Sequence, residues 1–182
     1  NPSLVGSEMC IRDRPVAALM EKVGLAMAAR LQQEQPLLRD GVVVLVGPGH
    51  NGGDGLVVAR ELALAGVSVR LWCPFGVRRE LSMQHLRHLH WLGIEPSLVA
   101  PDPSESSLWV DALFGLGQTR PLSEELASLF HRRQLECPDH LVSLDVPSGL
   151  CSDQGEPLGG QAACALLTLT VGLIKQSHRE GE

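Results

Sequence analysis

The 182-residue sequence predicts a doubly wound α/β fold, a three-layer α/β/α sandwich around a mainly parallel central sheet. Three observations carry that expectation. Short apolar runs alternate along the chain with stretches of helical periodicity. The clearest of those runs are continuous rather than alternating, as in strands buried on both faces. Three of them also end in polar segments, "GPGHNGGDG", "DALFGLGQTRPL" and "DVPSGLCSDQG", and open α/β sheets bind ligands outside such strand ends.

The first element is a helix over 15–33, where Val16, Leu19, Met20, Val23, Met27 and Leu31 recur at spacings of three and four behind Pro15. "GVVVLVG" (41–47) is a buried strand closed by glycine, and after the glycine-rich loop a helix spans 55–66, ending at Gly66. "VSVRLWC" (67–73) is the next strand, and "RRELSMQHLRHLHWLG" (78–93) is a helix stopped by Gly93. A weaker strand candidate at 97–100 precedes a clear one at 107–115. Ser123, three residues before Leu126 and followed by two acids, marks the start of a helix over 123–133. Strands at 140–149 and 163–172 complete a Rossmann-like order of elements.

A chain of this length buries a core without disulfides or metals, and one domain is expected. Fifteen basic against 21 acidic residues leave a net charge of -6, which argues against nucleic acid or an anionic membrane as partner. No apolar run approaches the roughly 18–20 residues that cross a bilayer. The five cysteines are odd in number, scattered and never C-x-x-C, the usage of free thiols in a reducing cytoplasm. His85, His88 and His90 read as the solvated face of a helix rather than a metal site, since no Cys or carboxylate completes the set. Residues 1–14, "NPSLVGSEMCIRDR", have no strand or helix period and resemble a translated sequencing adapter; they read as a non-native leader. "SHREGE" at the other end reads as a frayed or truncated tail.

Gly47-x-Gly49-x-x-Gly52 follows a strand and precedes a helix, as a dinucleotide fingerprint does. A dehydrogenase also needs an acid about 20 residues on to hold the ribose. Arg70-Leu71-Trp72-Cys73-Pro74 stands there instead, without a carboxylate. Within the loop, Asn51 and Asp54 add oxygens that suit a hard cation, while backbone N–H groups at the helix start suit an anion. Asn51, Asp54, Asp111, Asp145 and Ser148 are expected to face one crevice.

"VGPGHNGGDGLVVARELALAG", "VDALFGLGQTRPL" and "SLDVPSGLCSDQGEP", in that order, resemble the YjeF N-terminal domain family of NAD(P)HX epimerases. "LMEKVGLAMA" is similar to the M-E-x-A-G helix of that family, so the resemblance runs over about 16–175 within a domain assigned to 15–182. The sequence departs from the family pattern at His50, usually asparagine, and at Gln176, often proline after the lysine.

The resemblance implies a potassium ion held by Asn51, Asp111 and Ser148. It also implies substrate contacts from His50, Asn51, Gly52, Gly53 and Asp54, from Gly115, Leu116, Gly117, Gln118, Thr119, Arg120 and Pro121, and from Asp145. The implied substrate is NADHX or NADPHX, reduced nicotinamide carrying a C6 hydroxyl, whose two epimers the family interconverts. Asp145 is the expected catalytic carboxylate and Asp54 the second choice; Lys175 reads either as a phosphate contact or as a solvated lysine at a strand end. A homodimer, and a fused or separate ADP/ATP-dependent NAD(P)HX dehydratase acting on the product in the cytoplasm, are the implied partners. A binding-only scaffold of the same fold is the alternative, against which the intact Asn51, Asp54 and Asp145 speak.

Overall fold

Five consecutive apolar residues, Val42 to Val46, are all buried and form the middle of a sheet. The computed structural model describes residues 15–170. In chain order these contain α1 (Val16–Leu31), α2 (Gln35–Leu38), β1 (Val42–Val46), α3 (His50–Leu64), β2 (Val69–Trp72) and α4 (Glu80–Trp91). β3 (Pro96–Ser97), β4 (Leu108–Ala112), α5 (Glu124–Glu136), β5 (Leu141–Leu144) and β6 (Leu167–Leu169) follow. The leader assigned to 1–14, the tail, Lys175 and the last residues of the predicted final strand lie outside the described residues.

The strands form one sheet in the order β3-β2-β1-β4-β5-β6, and every neighbouring pair is parallel. The sheet is therefore wholly parallel among the described residues, not merely mainly so. From β1 the chain winds outward to β2 and β3, then returns and winds the other way through β4, β5 and β6. The reversal lies between β1 and β4, where the crossovers diverge and a crevice opens at the carboxyl ends of the strands.

Alternation along each strand divides the core into two. Val42, Val44 and Val46 of β1 join Leu108, Val110 and Ala112 of β4 under α1, α3 and α4. Val43 and Leu45 face the other way, with Trp109, Leu141 and the α5 residues Leu126 and Phe130. Each such side chain stabilises the fold by about 1.5–3 kcal/mol, so the five-residue β1, buried on both faces, is a large contributor. α5 starts where expected, with the Leu126 N–H donating to Ser123 Oγ at 3.3 Å.

Arg133 of α5 is fully buried, and its guanidinium donates to the carbonyls of Pro103, Glu105, Ser107 and His140 while lying 4.5 Å from the Trp109 ring centroid. Its charge is met by backbone dipoles and a π face instead of a carboxylate, and burial holds its pKa below the ordinary arginine value. Arg133 thereby ties α5 to the segments entering β4 and β5, at the end of the sheet opposite the crevice.

Four expectations about elements need correction. The segment 50–54 is not a loop: it is the first turn of α3, so the helix begins five residues before the predicted Gly55. Gly52 and Gly53, poor helix formers, mask this start in the sequence, and close packing overrides their propensity. The final strand is three residues long within the described region, the weak candidate at 97–100 is Pro96–Ser97, and a short helix at Gln35–Leu38, with Pro36 in its first turn, has no counterpart among the predicted elements. His88 and His90 are exposed as expected, but His85 is partly buried, its Nε2 has no partner, and burial lowers its pKa.

Candidate active site

Two glycines bring the ends of β1 and β4 together. A Cβ on Gly47 would overlap the carbonyl oxygen of Leu113, and one on Gly52 would overlap the carbonyl of Gly47 itself. Their role is close packing of backbone on backbone, which only a missing side chain permits. They do not open a phosphate cradle; Gly49, with nothing near its Cβ position, is the glycine of this motif that faces the cavity.

The compact turn lets Asn51 reach across the sheet. Its Nδ2 donates to the carbonyls of Phe114 (3.0 Å) and Leu144 (3.1 Å), linking the ends of β4 and β5 to the start of α3. Both amide hydrogens are used, while Oδ1 is buried with no partner among the described residues. An orphaned buried acceptor costs free energy, so it marks a place where a ligand or ion would be welcome.

Beneath the crevice Asp111 is completely buried. One oxygen accepts from the Leu113 N–H (3.2 Å) and Ser148 Oγ (2.6 Å), and the other from Ser143 Oγ (3.0 Å) and the Ser148 N–H (2.8 Å). Asp111 and Ser143 are register partners in β4 and β5, which is why those two side chains meet. Burial pushes the Asp111 carboxyl up, and the four hydrogen bonds pull it back. Asp111 and Ser148 belong to a network under the crevice and do not line it, contrary to the expectation that all five polar residues face it.

Asp145 follows β5 in the left-handed region, with φ 69, a conformation that costs a non-glycine residue about 1–3 kcal/mol. Its N–H donates to Leu169 of β6 at 2.7 Å, and its Oδ2 accepts from the Leu116 N–H at 2.9 Å. Partial burial raises its pKa. Asp54, on α3, shares the same cavity and is pushed up to about 7, first by burial and then by the negative charge of Asp145.

The cavity, about 790 Å³, lies at the crevice between the ends of β1, β4 and β5, and its volume suits a small-molecule ligand. His50, Asn51, Asp54, Gly115, Leu116, Gly117, Gln118 and Asp145 line it, as the sequence suggested. Gly52 and Gly53 are buried behind it, and Thr119, Arg120 and Pro121 are exposed outside it. Gln118 is committed internally, donating to Pro147 O (3.2 Å) and accepting from the Gly149 N–H (2.5 Å), so it braces the two loops against each other.

Sequence reasoning missed two parts of this wall. Met20, Val23 and Met27 of α1 face the cavity although their helical spacing reads as ordinary core. Arg79, just before α4, also lines it and had no signal beyond following β2, another strand of the same sheet edge. Among the described residues no three His, Cys, Asp or Glu side chains cluster as a metal site, and no helix is long and apolar enough to cross a membrane.

The chain is similar in sequence and fold to known proteins. The family model for the YjeF-related protein N-terminus matches residues 16–177. The chain is 45% identical over 165 residues to the bifunctional NAD(P)H-hydrate repair enzyme Nnr of Gloeobacter violaceus, covering 89% of this chain and 32% of that protein. It is 34% identical over 160 residues to the NAD(P)H-hydrate epimerase of Limosilactobacillus fermentum, covering 86% of this chain and 74% of the relative. The crystal structure of yeast YNL200c superposes with a TM-score of 0.74 at 28% identity, over 86% of this chain and 70% of that one. The chain thus spans about a third of the length of the bifunctional relatives.

Proposed function

This chain belongs to the YjeF-related N-terminal family, and from that premise we propose that it is an NAD(P)H-hydrate epimerase acting on the C6 hydrates of NADH and NADPH. The observation that carries the reading is the pair of carboxylates, Asp54 and Asp145, facing one largely apolar cavity at the sheet's switch point. Relatives named as this epimerase support it at 34–35% identity over most of their own length.

Epimerisation at C6 needs the hydroxyl to leave and water to return from the opposite face. A proton delivered to the hydroxyl lets it depart as water and leaves a conjugated ring cation; addition of water to the other face then releases a proton. Asp145, held by the Leu116 N–H, is suited to stabilise that cation. Asp54, with a pKa of about 7, is suited to give and retake the proton near neutral pH. The side chains of α1 give the ring an apolar wall to pack against.

A potassium ion fits the donor set by chemistry. Among the described residues Asn51 Oδ1 is a buried acceptor without a partner, and Asp111 is a buried carboxylate hydrogen-bonded to two serine hydroxyls and two N–H groups with no ion-pair partner. Asn51, Asp111 and Ser148 would hold the ion, which would supply a positive charge to stiffen the junction of the three strand ends. A cytoplasmic setting, and a dehydratase partner such as the remaining length of the bifunctional relatives would accommodate, complete the proposal.

The test is to mix the full chain with a single NADHX epimer and follow the epimer ratio by chromatography. Ratios should equilibrate faster than in buffer, and Asp145→Asn, which preserves an acceptor for Leu116, should remove the acceleration while the circular dichroism stays unchanged. Equilibration no faster than in buffer overturns the epimerase reading in favour of a scaffold; an unimpaired D145N overturns the role of Asp145.

A further inference from the structure

Among the described residues the cavity walls include one arginine and no lysine, and that arginine is held by two hydrogen bonds. Arg79 Nε donates to the carbonyl of Pro48 at 3.3 Å, and Nη1 lies 3.3 Å from His50 Nε2. Arginine has no acceptor, so in this contact the guanidinium donates and His50 Nε2 accepts. Among the described residues Arg79 forms no ion pair, and its Nη2 makes no hydrogen bond.

An arginine carries a fixed charge, and this one is anchored at two points with half its fork unused. Two carboxylates, Asp54 and Asp145, line the same cavity, yet Arg79 pairs with neither. Burial gives the reason: Arg79 and His50 are exposed, whereas Asp54 and Asp145 are partly buried. The cavity is therefore polarised, with positive charge at its mouth and acid groups deeper. Beside the guanidinium, α3 begins at His50, and its N-cap Gly49 supplies no side-chain cap.

We propose that Arg79, aimed by Pro48 and His50, binds a phosphate of the dinucleotide substrate and so orients the nicotinamide end toward the two carboxylates. This rests on the epimerase reading of the cavity. The chemistry recognised is a phosphate dianion or diester that matches a bidentate guanidinium. Such a group is present in two places: the pyrophosphate bridge, shared by both substrates, and the 2′-phosphate, carried by NADPHX alone.

The experiment compares wild type, Arg79→Gln and Arg79→Lys on NADHX and on NADPHX. Arg79 is exposed and makes no core contact, so circular dichroism and the melting temperature should not move. KM should rise about ten- to a hundredfold in R79Q with kcat nearly kept, and less in R79K, which restores charge without the fork. A rise for both substrates assigns the pyrophosphate; a rise for NADPHX alone assigns the 2′-phosphate. Unchanged KM for both overturns the proposal.

Calorimetric titration with NADP+ and NAD+ separates this result from failure of the epimerase reading. If wild type binds them but does not epimerise, the activity is wrong and Arg79 is still judged by whether R79Q binds more weakly. Equal binding by both proteins, or binding by neither, overturns the role of Arg79.

Discussion

Replacing Asp54 with Asn should stabilise the protein at neutral pH and disable it. Asp54 accepts no hydrogen bond among the described residues, lies partly buried, and faces the negative charge of Asp145, which together lift its pKa from 3.8 to about 7. The folded state thus binds a proton that the unfolded chain has already released. Its stabilising contribution is full below about pH 4, the unfolded value, and is lost as pH rises through about 7. At about 1.4 kcal/mol for each tenfold change, the gap corresponds to ~4 kcal/mol, and water in the open cavity screens this to about 2 kcal/mol. Asn has no charge to lose. The stability of D54N minus that of wild type should therefore grow by about 2 kcal/mol between pH 4 and pH 8 and then level off. Urea denaturation at half-unit pH steps would measure it, with epimer exchange followed on the same samples and expected to fall about a hundredfold or more. A difference that is flat with pH would refute the electrostatic reasoning, and unchanged activity would refute the role in proton transfer.

Two further outcomes follow from the geometry. Gly47→Ala should lower the urea midpoint by an amount equal to about 3 kcal/mol or more, because the methyl would meet the Leu113 carbonyl, backbone that cannot move aside without parting β1 from β4; a midpoint within error of wild type would disprove that contact. If potassium fills the orphaned Asn51 acceptor, melting in potassium chloride tenfold above its Kd should show about 1.4 kcal/mol more stability than in choline chloride at equal ionic strength. Asn51→Ala should erase that difference, and identical melting in the two salts would rule the ion out.

Much of the site is legible in the sequence, because its residues sit at strand ends, which a linear pattern marks well. "VVVLV" is apolar without alternation, so it has to be a strand covered on both faces, and the polar residues after it have to lie at an edge. The order of three such ends also points to one cavity holding Asn51, Asp54 and Asp145, and they do line it. The start of α3 escapes this kind of reading because intrinsic propensity disfavours a helix through Gly52 and Gly53, while packing against Gly47 and Met20 leaves no room for a Cβ.

By itself, the sequence determined the alternation of helices and parallel strands, the residue types at the crevice and the family to which the chain belongs. The first two depend on periodicity and local order, which a linear chain carries directly, and the third on the resemblance of three ordered motifs. The tertiary structure alone decided which polar residues face the cavity and which, like Asp111 and Ser148, are sealed beneath it. It also decided that Arg79 and the inner face of α1 complete the wall, and that the charge of Asp145 raises the pKa of Asp54. Distances between residues remote in sequence, and the burial those distances create, arise only when the strands are laid side by side, and it is burial that lifts the pKa of both carboxylates above the ordinary value.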